Sequence, residues 1–223
     1  KMLGLNNAIH VAPGPFSIFR TDVFAKIGNF KAAHNTEDME IAYRMQANHM
    51  KIEHANDAFV YTVTPNTVKK LYKQRLRWIY GFIQNTIDYR RLLFKKEFGN
   101  FAFFTLPSGV LSVVSVIFIF FFTIYNVFHF LIQQIIKIST VGFSFSVSSH
   151  LLDPFYINTK AMNLVVIALY GTVMLAMLIG SRMAEGRAKF SLSYIWFFII
   201  YSIIAPFWLL KAVYNTVFAK KTA

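Results

Sequence analysis

Residues 101–132 form an almost unbroken apolar run, and this run constrains the fold of the chain more than any other feature. About 20 apolar residues in a helix suffice to cross a bilayer, so the run is long enough to span with some tilt. Further apolar runs cover 161–181 and 192–210, the last interrupted by Pro206. The sequence therefore predicts an α-helical transmembrane bundle over 101–223, with about three spans.

Charged residues are distributed unevenly along the chain. Eight of the ten acidic residues precede residue 101, and only Asp153 and Glu185 follow it. This contrast predicts a water-exposed domain followed by a membrane domain. The formal charge of +13 is concentrated in basic clusters at 69–77 and 90–96, just before the first span. Basic residues there indicate the cytoplasmic end of a span and contact with anionic lipid, and no nucleic-acid-binding module surrounds them.

Local patterns before residue 100 predict both strands and helices. Residues 8–19, 51–55 and 58–63 are typical of strands, with a tight Pro-Gly-Pro turn inside the first. The helices are predicted over Thr21–Ile27, ended by Gly28, over Glu37–Ala47 with Thr36 as N-cap, and from Pro65 to about Leu93. The absence of cysteine excludes a disulfide framework and a thiolate metal site.

Four residues of the third predicted helix share one face. Gln74, Arg77, Trp78 and Gly81 fall at i, i+3, i+4 and i+7, whereas Arg75 is expected to point elsewhere. An Arg fork binds phosphate oxygens in two directions, and an indole offers a flat surface for a sugar ring. A simpler interpretation is an amphipathic helix whose Trp anchors at lipid headgroups.

Three features occur together in this chain: Thr36-Glu37-Asp38 at a helix start, Gln74-x-x-Arg77-Trp78 on a later helix, and adjoining membrane runs. In this combination the chain resembles the processive family 2 glycosyltransferases. These enzymes are synthases of cellulose, chitin, hyaluronan and poly-N-acetylglucosamine. The resemblance implies an α/β fold for 1–83, as the acceptor-side part of a GT-A catalytic domain. It further implies an amphipathic interface helix over 84–100, followed by the transmembrane region over 101–223.

The resemblance also assigns roles around the acceptor. It implies that Asp38 is the catalytic base and that Glu37 is a further catalytic residue. Glu37 and Thr36 shape the position of Asp38, and Thr36 also belongs to the residues that bind the acceptor or product. Taken alone, acids in a first helical turn only complement the helix dipole. Gly14 and Phe16 belong to a stretch resembling the family's G-x-F-x-x-x-R, which borders the acceptor site; alone, a turn and a core strand give the same pattern.

The family's glutamine and arginine face the nucleotide diphosphate, and its tryptophan lies beneath the acceptor sugar. The resemblance therefore assigns diphosphate binding to Gln74 and Arg77 and acceptor or product binding to Trp78.

The implied cofactor is a divalent cation, Mg or Mn. No Asp-x-Asp occurs in this chain, so the cation's ligands and the nucleotide-binding half are expected outside it. The chain alone is accordingly expected to be inactive. The implied partners are a nucleotide-sugar donor, a polysaccharide acceptor, the lipid bilayer and an accessory membrane subunit, with no nucleic acid. The implied location is the plasma membrane, multi-pass, with the catalytic part cytosolic.

The leading hypothesis is an inverting β-glycosyltransferase that extends a polysaccharide and passes it through the membrane bundle. One alternative is a non-processive enzyme that glycosylates a lipid carrier or a short acceptor. The other is a membrane scaffold or transporter fragment without catalysis. The Gln-x-x-Arg-Trp motif disfavours the first alternative, because it accompanies the holding of a growing chain. The one-sided clustering of Gln74, Arg77 and Trp78 disfavours the second.

Overall fold

The computed structural model of the protein describes residues 7–55, 58, 60–142, 161–185 and 192–218. The α-helices of these residues, numbered in chain order, are α1 Thr21–Ile27, α2 Glu37–Ala47, α3 Val68–Asp88, α4 Leu106–Val141, α5 Ala161–Glu185 and α6 Leu192–Phe218. The chain divides into two compact units, one formed by Lys1–Thr123 with Ile204–Ala223 and the other by Ile124–Ile203.

The predicted α/β fold of the GT-A type is wrong, because the described residues contain no strand. Hydrogen bonds of the N-terminal segment give the physical reason. The side-chain amide of Gln46 donates to the carbonyls of Asn7 and Ile9 at 3.2 and 3.1 Å. The hydroxyl of Thr105 donates to the carbonyl of Ala8 at 2.9 Å. Helix side chains thus satisfy backbone groups that a neighbouring strand would otherwise pair.

Helix α2 lies at the centre of the first unit, with all residues from 39 to 46 buried. Two hydrophobic clusters meet on it. The first joins α2 to α1 and the N-terminal segment through Ala12, Val23, Ile41, Ala42, Met45 and Ile52. The second joins α2 to the chain beyond α3 through Met39, Tyr43, Leu92, Phe101 and Leu106. Burying a large apolar side chain contributes roughly 1.5–3 kcal/mol, so this packing fixes α2 firmly.

The predicted bounds of the first two helices are confirmed. Helix α1 ends at Gly28, which has a φ of 78° and whose N–H donates to the carbonyl of Phe24. This left-handed conformation has little cost for glycine. Helix α2 runs from Glu37 to Ala47, and its acidic first turn follows Thr36 as predicted.

Helix α3 ends earlier than the sequence predicts, at Asp88 rather than Leu93. Short 3-10 turns follow at Arg90–Leu92 and Lys96–Phe98, so the segment 84–100 is not one continuous helix. The chain reverses through positive φ values at Phe94 (58°) and Gly99 (54°). The reversal brings Leu92 and Phe101 into the same buried cluster with Tyr43, and this packing outweighs continuation of the helix.

Within the described parts of the chain, two helical stretches are long and apolar enough to cross a membrane, Phe101–Thr140 with 40 residues and Ser193–Phe218 with 26. The first begins with a π-helical turn, Phe101–Thr105, that leads into α4. In their most apolar windows, 0% and 17% of the residues are buried, so both helices present apolar side chains outward. The apolar stretch of α5 is shorter, Ile167–Arg182. In the second unit, Tyr170 of α5 packs edge-on against Phe198 of α6.

Candidate active site

The candidate site is built on a close approach between the start of α2 and the middle of α3. A Cβ added at Gly81 would lie 2.2 Å from Oγ1, 2.3 Å from Cγ2 and 2.7 Å from Cβ of Thr36. Only glycine allows the α3 backbone to come this near to a β-branched side chain. The sequence placed Gly81 on the same face as Gln74, Arg77 and Trp78, and that face therefore adjoins Thr36.

Asn85, one turn beyond Gly81, fastens the two helices together. Its side chain is fully buried, and Nδ2 donates to Oγ1 of Thr36 at 3.1 Å and to the carbonyl of Gly81 at 2.9 Å. The Thr36 hydroxyl in turn donates to the carbonyl of Ala33 at 3.3 Å. Thr36 is thus the N-cap residue by position, but its side chain makes no capping bond. Its hydroxyl links α2 to α3 instead.

Asp38 lies in the first turn of α2, two residues beyond Thr36. Its Oδ1 accepts a hydrogen bond from the N–H of Met39 at 2.9 Å, and its carbonyl accepts one from the N–H of Ala12 at 3.0 Å. Asp38 is half-buried, whereas Glu37 is exposed. Backbone contacts on both sides of the residue therefore hold the carboxylate at a defined place near the surface.

The chain enters this motif through an unusual backbone conformation. His34 and Asn35 have φ values of 51° and 56°, in the left-handed region that few non-glycine residues adopt. His34 Nε2 lies 2.9 Å from Oδ2 of Asp88, and its ring packs edge-on against Tyr80. Because both partners belong to α3, this helix contacts the segment just before Thr36 as well as Thr36 itself.

A groove of about 480 Å³ runs along the N-terminal part of α3. It is lined by Val63, Thr64, Pro65, Asn66, Lys70, Lys73, Gln74 and Arg77. Gln74 and Arg77, the two residues predicted to bind a diphosphate, therefore open onto one cavity. Helix geometry of 1.5 Å per residue puts Arg77 about 6 Å along the axis from Gly81, and hence on the order of 10 Å from the start of α2.

Trp78 lies outside that groove, and 38% of it is exposed. The guanidinium carbon of Arg75 lies 4.7 Å from the centre of the Trp78 ring, a cation–π arrangement. The expectation that Arg75 points away from the Trp78 side chain is therefore wrong, because a long Arg side chain folds back over its neighbour. Arg75 therefore occupies one side of the indole.

A buried polar network behind the site was not predicted from the sequence. Glu40 accepts hydrogen bonds from Arg44 at 2.9 Å and from the Tyr89 hydroxyl at 2.6 Å. Arg44 also donates to the carbonyls of Ile27 and Asn29 at 2.8 and 3.0 Å. Burial, followed by the hydrogen bond and the charge of Glu40, raises the pKa of Tyr89. The i, i+4 spacing of Glu40 and Arg44 was the available signal; nothing in the sequence pointed to Asn85 or Tyr89.

The structure leaves Gly14 and Phe16 apart from these contacts. They form a 3-10 turn, Gly14–Phe16, in which 63% of Phe16 is exposed. Apart from its chain neighbours, no described residue has an atom within 4 Å of a Cβ added at Gly14. The turn is open to solvent, and the acceptor role of both residues stays a prediction.

The described residues do not suit a divalent cation. No group of three or more His, Asp or Glu side chains in the described part of the chain could hold a metal ion. Glu37, Asp38 and Glu40 are close in sequence, but Glu40 turns inward to Arg44 and Tyr89. These residues therefore offer no cradle for the cation that the resemblance implies.

Comparison with known proteins identifies relatives of part of this chain. The chain is 32% identical to the uncharacterized glycosyltransferase YaiP of Escherichia coli over 112 residues, which is 50% of this chain and 28% of that protein. It is 27% identical to poly-beta-1,6-N-acetyl-D-glucosamine synthase of Staphylococcus epidermidis over 77 residues, 34% of this chain and 19% of the synthase. The corresponding synthase of Staphylococcus aureus is 26% identical over 77 residues. The matches thus span less than a third of the length of each relative. No solved structure matches the chain.

The sequence profile of glycosyl transferase family group 2 matches residues 5–211, nearly the whole chain. This match covers the start of α2, the candidate face of α3 and most of the apolar helices, and it confirms the resemblance noted in the sequence. The chain belongs to glycosyl transferase family group 2.

Proposed function

We propose that this chain carries the acceptor-binding and diphosphate-binding part of a membrane-embedded, inverting β-glycosyltransferase that extends a polysaccharide. The observation that supports this most is the contact of Thr36 with Gly81, locked by Asn85. It joins the Thr36-Glu37-Asp38 start of α2 to the helix that bears Gln74, Arg77 and Trp78. A base, a cationic fork and a sugar-stacking ring are thereby collected in one region.

In the proposed reaction, Asp38 removes the proton from an acceptor hydroxyl as its oxygen attacks the anomeric carbon of the donor sugar. The new carbon–oxygen bond forms on the face opposite the bond to the diphosphate, so the anomeric configuration inverts. The diphosphate leaves with the bonding electron pair. Arg77 and Gln74 stabilise its negative charge by charge-assisted and neutral hydrogen bonds.

Trp78 holds the acceptor end of the polymer in this proposal. Arg75 covers one side of the indole, and the exposed part is available for a sugar ring. The relatives named as poly-beta-1,6-N-acetyl-D-glucosamine synthases support a polymer of N-acetylglucosamine as the product class. A divalent cation is expected to be held by carboxylates other than the described ones.

The central test of the acceptor role is Trp78→Ala. We expect full-length enzyme with this change to make shorter polymer, or none, because the chain end loses a stacking contact worth about 1–3 kcal/mol on the scale of other aromatic platforms. Polymer length on a gel, from purified enzyme and radiolabelled nucleotide sugar, measures this. Trp196→Ala, which alters an exposed tryptophan of α6, serves as the control and should leave length unchanged.

Unchanged polymer length in Trp78→Ala would remove Trp78 from the acceptor site. A single added sugar in the wild-type enzyme would instead favour the non-processive alternative. No consumption of any nucleotide sugar would favour the scaffold alternative.

We further propose that the protein is a multi-pass plasma membrane protein whose catalytic part is cytosolic and whose bundle passes the product outward. At 1.5 Å per residue, the stretch Phe101–Thr140 is about 60 Å long, twice the ~30 Å of a bilayer core. Its outwardly exposed apolar side chains are suited to lipid or an accessory membrane subunit.

Cysteine labelling tests this topology directly, because the natural chain has no cysteine. We expect a membrane-impermeant maleimide to label Thr140→Cys in intact cells, since the proposed orientation puts that residue beyond the bilayer core on the outer side. Thr21→Cys, exposed on α1, should react only after permeabilisation. Labelling of both residues in intact cells, or of neither, would contradict the proposed orientation. Three spans that start from a cytosolic first part also predict an external connection around Ser149 and an external tail around Thr222, and both of these segments lie outside the described residues.

A further inference from the structure

The groove along α3 continues past the residues already assigned to the diphosphate. Arg77, Lys73 and Lys70 are spaced four and three residues apart on α3, and all line the same groove. At 1.5 Å per residue they extend over roughly 10 Å of the helix axis. Gln74 lies between them, and none of the eight lining residues is acidic. This cavity therefore presents three cations to one ligand.

The chemistry of the groove selects its ligand. Neutral sugars need paired donors and acceptors and an apolar ring surface, and they gain little from a row of cations. A diphosphate carries several negative charges on neighbouring oxygens, which a row of Arg and Lys side chains can share. The groove lies between the helix and the segment 63–66 and is open to solvent, with Lys70, Lys73 and Arg77 exposed along it, so a charged ligand reaches all three from water.

The two lysines differ in their present contacts. Nζ of Lys70 donates to Oδ1 of Asn66 at 3.1 Å, so its ammonium is tethered to the groove wall. Lys73 lies one turn before Arg77 and directly beside Gln74 in the sequence. Gln74 and Arg77 are the two residues proposed to bind the leaving diphosphate. Lys69 is exposed on the same helix turn and does not line the groove.

We propose that Lys73, with Lys70 as a second contact, completes the binding site for the diphosphate of the nucleotide in the groove of Gln74 and Arg77. The assignment rests on the proposed function. It adds two residues that the Gln-x-x-Arg-Trp motif does not contain, and it makes the groove the place where the leaving diphosphate is held.

The test measures binding of inorganic pyrophosphate to the detergent-solubilised full-length protein by equilibrium dialysis, a measurement that does not depend on catalysis. We expect Lys73→Gln to raise the dissociation constant about tenfold, the scale of one charge-assisted hydrogen bond. Lys70→Gln should have a smaller effect, because Asn66 already holds that ammonium. Lys69→Gln, a loss of the same charge from the same helix, should leave binding unchanged.

Equal binding by Lys73→Gln and Lys69→Gln would overturn the proposal, and so would a wild-type protein that binds no pyrophosphate at millimolar concentration. Flotation with phosphatidylglycerol vesicles separates a lipid headgroup from a free diphosphate. Loss of vesicle binding in Lys73→Gln with pyrophosphate binding intact would assign the lysine to lipid and overturn the proposal. Sugar transfer by the wild-type enzyme is measured separately. Failure of the proposed diphosphate site therefore gives a different result from failure of the proposed glycosyltransferase function.

Discussion

Asp38→Asn is expected to lower sugar transfer at least ~100-fold while expression and membrane insertion stay at the wild-type level. The amide retains the size of the carboxylate and can still accept the hydrogen bond from the N–H of Met39. It cannot take a proton from the acceptor hydroxyl. Transfer from radiolabelled nucleotide sugar, measured at saturating donor with matched amounts of full-length enzyme, reports the loss.

The control for this experiment is Asp22→Asn, which neutralises an exposed carboxylate on α1. Asp22 pairs with Arg20 and Lys26 at the surface, and such pairs contribute little, so turnover should be unchanged. An Asp38→Asn enzyme with turnover close to that of Asp22→Asn would exclude Asp38 as the base.

Gly81→Ala is expected to have the second large effect, on both stability and turnover. The new Cβ would lie within 2.7 Å of three atoms of Thr36, and Thr36 is buried and bonded to Asn85, so it has no room to yield. Overpacking of this kind costs about 1–3 kcal/mol. The helices must separate, and displacement of catalytic groups by about 1 Å reduces turnover about 100-fold.

Gly171→Ala is the matched control, because Gly171 is also a helical glycine, but outside its own helical backbone no atom of the described residues lies within 4 Å of an added Cβ. Alanine is favoured over glycine in a helix, so thermal stability should hold or rise slightly. Thermal melting in detergent and transfer measured on the surviving folded enzyme separate the two effects of Gly81→Ala. A wild-type melting temperature and wild-type turnover in Gly81→Ala would mean that the α2–α3 contact does not organise the site.

The early helices were predictable because their end signals are local. Gly28 and the acidic first turn after Thr36 act within a few residues of the chain, and α1 and α2 begin and end where these signals place them. The end of α3 was not predictable in this way. It depends on Leu92 and Phe101 packing against Tyr43, a contact that joins distant parts of the sequence.

The predicted strands failed for a related reason. Pattern and composition favour an extended backbone, but a strand also needs a partner that offers a ladder of hydrogen bonds. In the N-terminal segment, the backbone carbonyls instead accept hydrogen bonds from the side chains of Gln46 and Thr105. No sequence pattern around either residue predicts these contacts.

The candidate site divides along the same line. Helical spacing was enough to predict that Gln74 and Arg77 share a side of α3, and both line one groove. Spacing did not predict that Arg75 would fold over Trp78, since this depends on the direction of a long side chain. The contacts of Asn85 with Thr36 are tertiary, and only the structure reveals them.

The most direct measurement of the central claim is sugar transfer by the full-length enzyme in native membranes. Membranes containing the wild-type protein are supplied with radiolabelled uridine diphosphate N-acetylglucosamine, which carries the sugar proposed above for the product, and with the corresponding glucose donor. We predict that label from one of them enters a polymer that elutes from a size-exclusion column well before free sugars. One nucleoside diphosphate should be released for each sugar added. Membranes that consume neither donor, or that label only a lipid or a single-sugar product, would contradict the account.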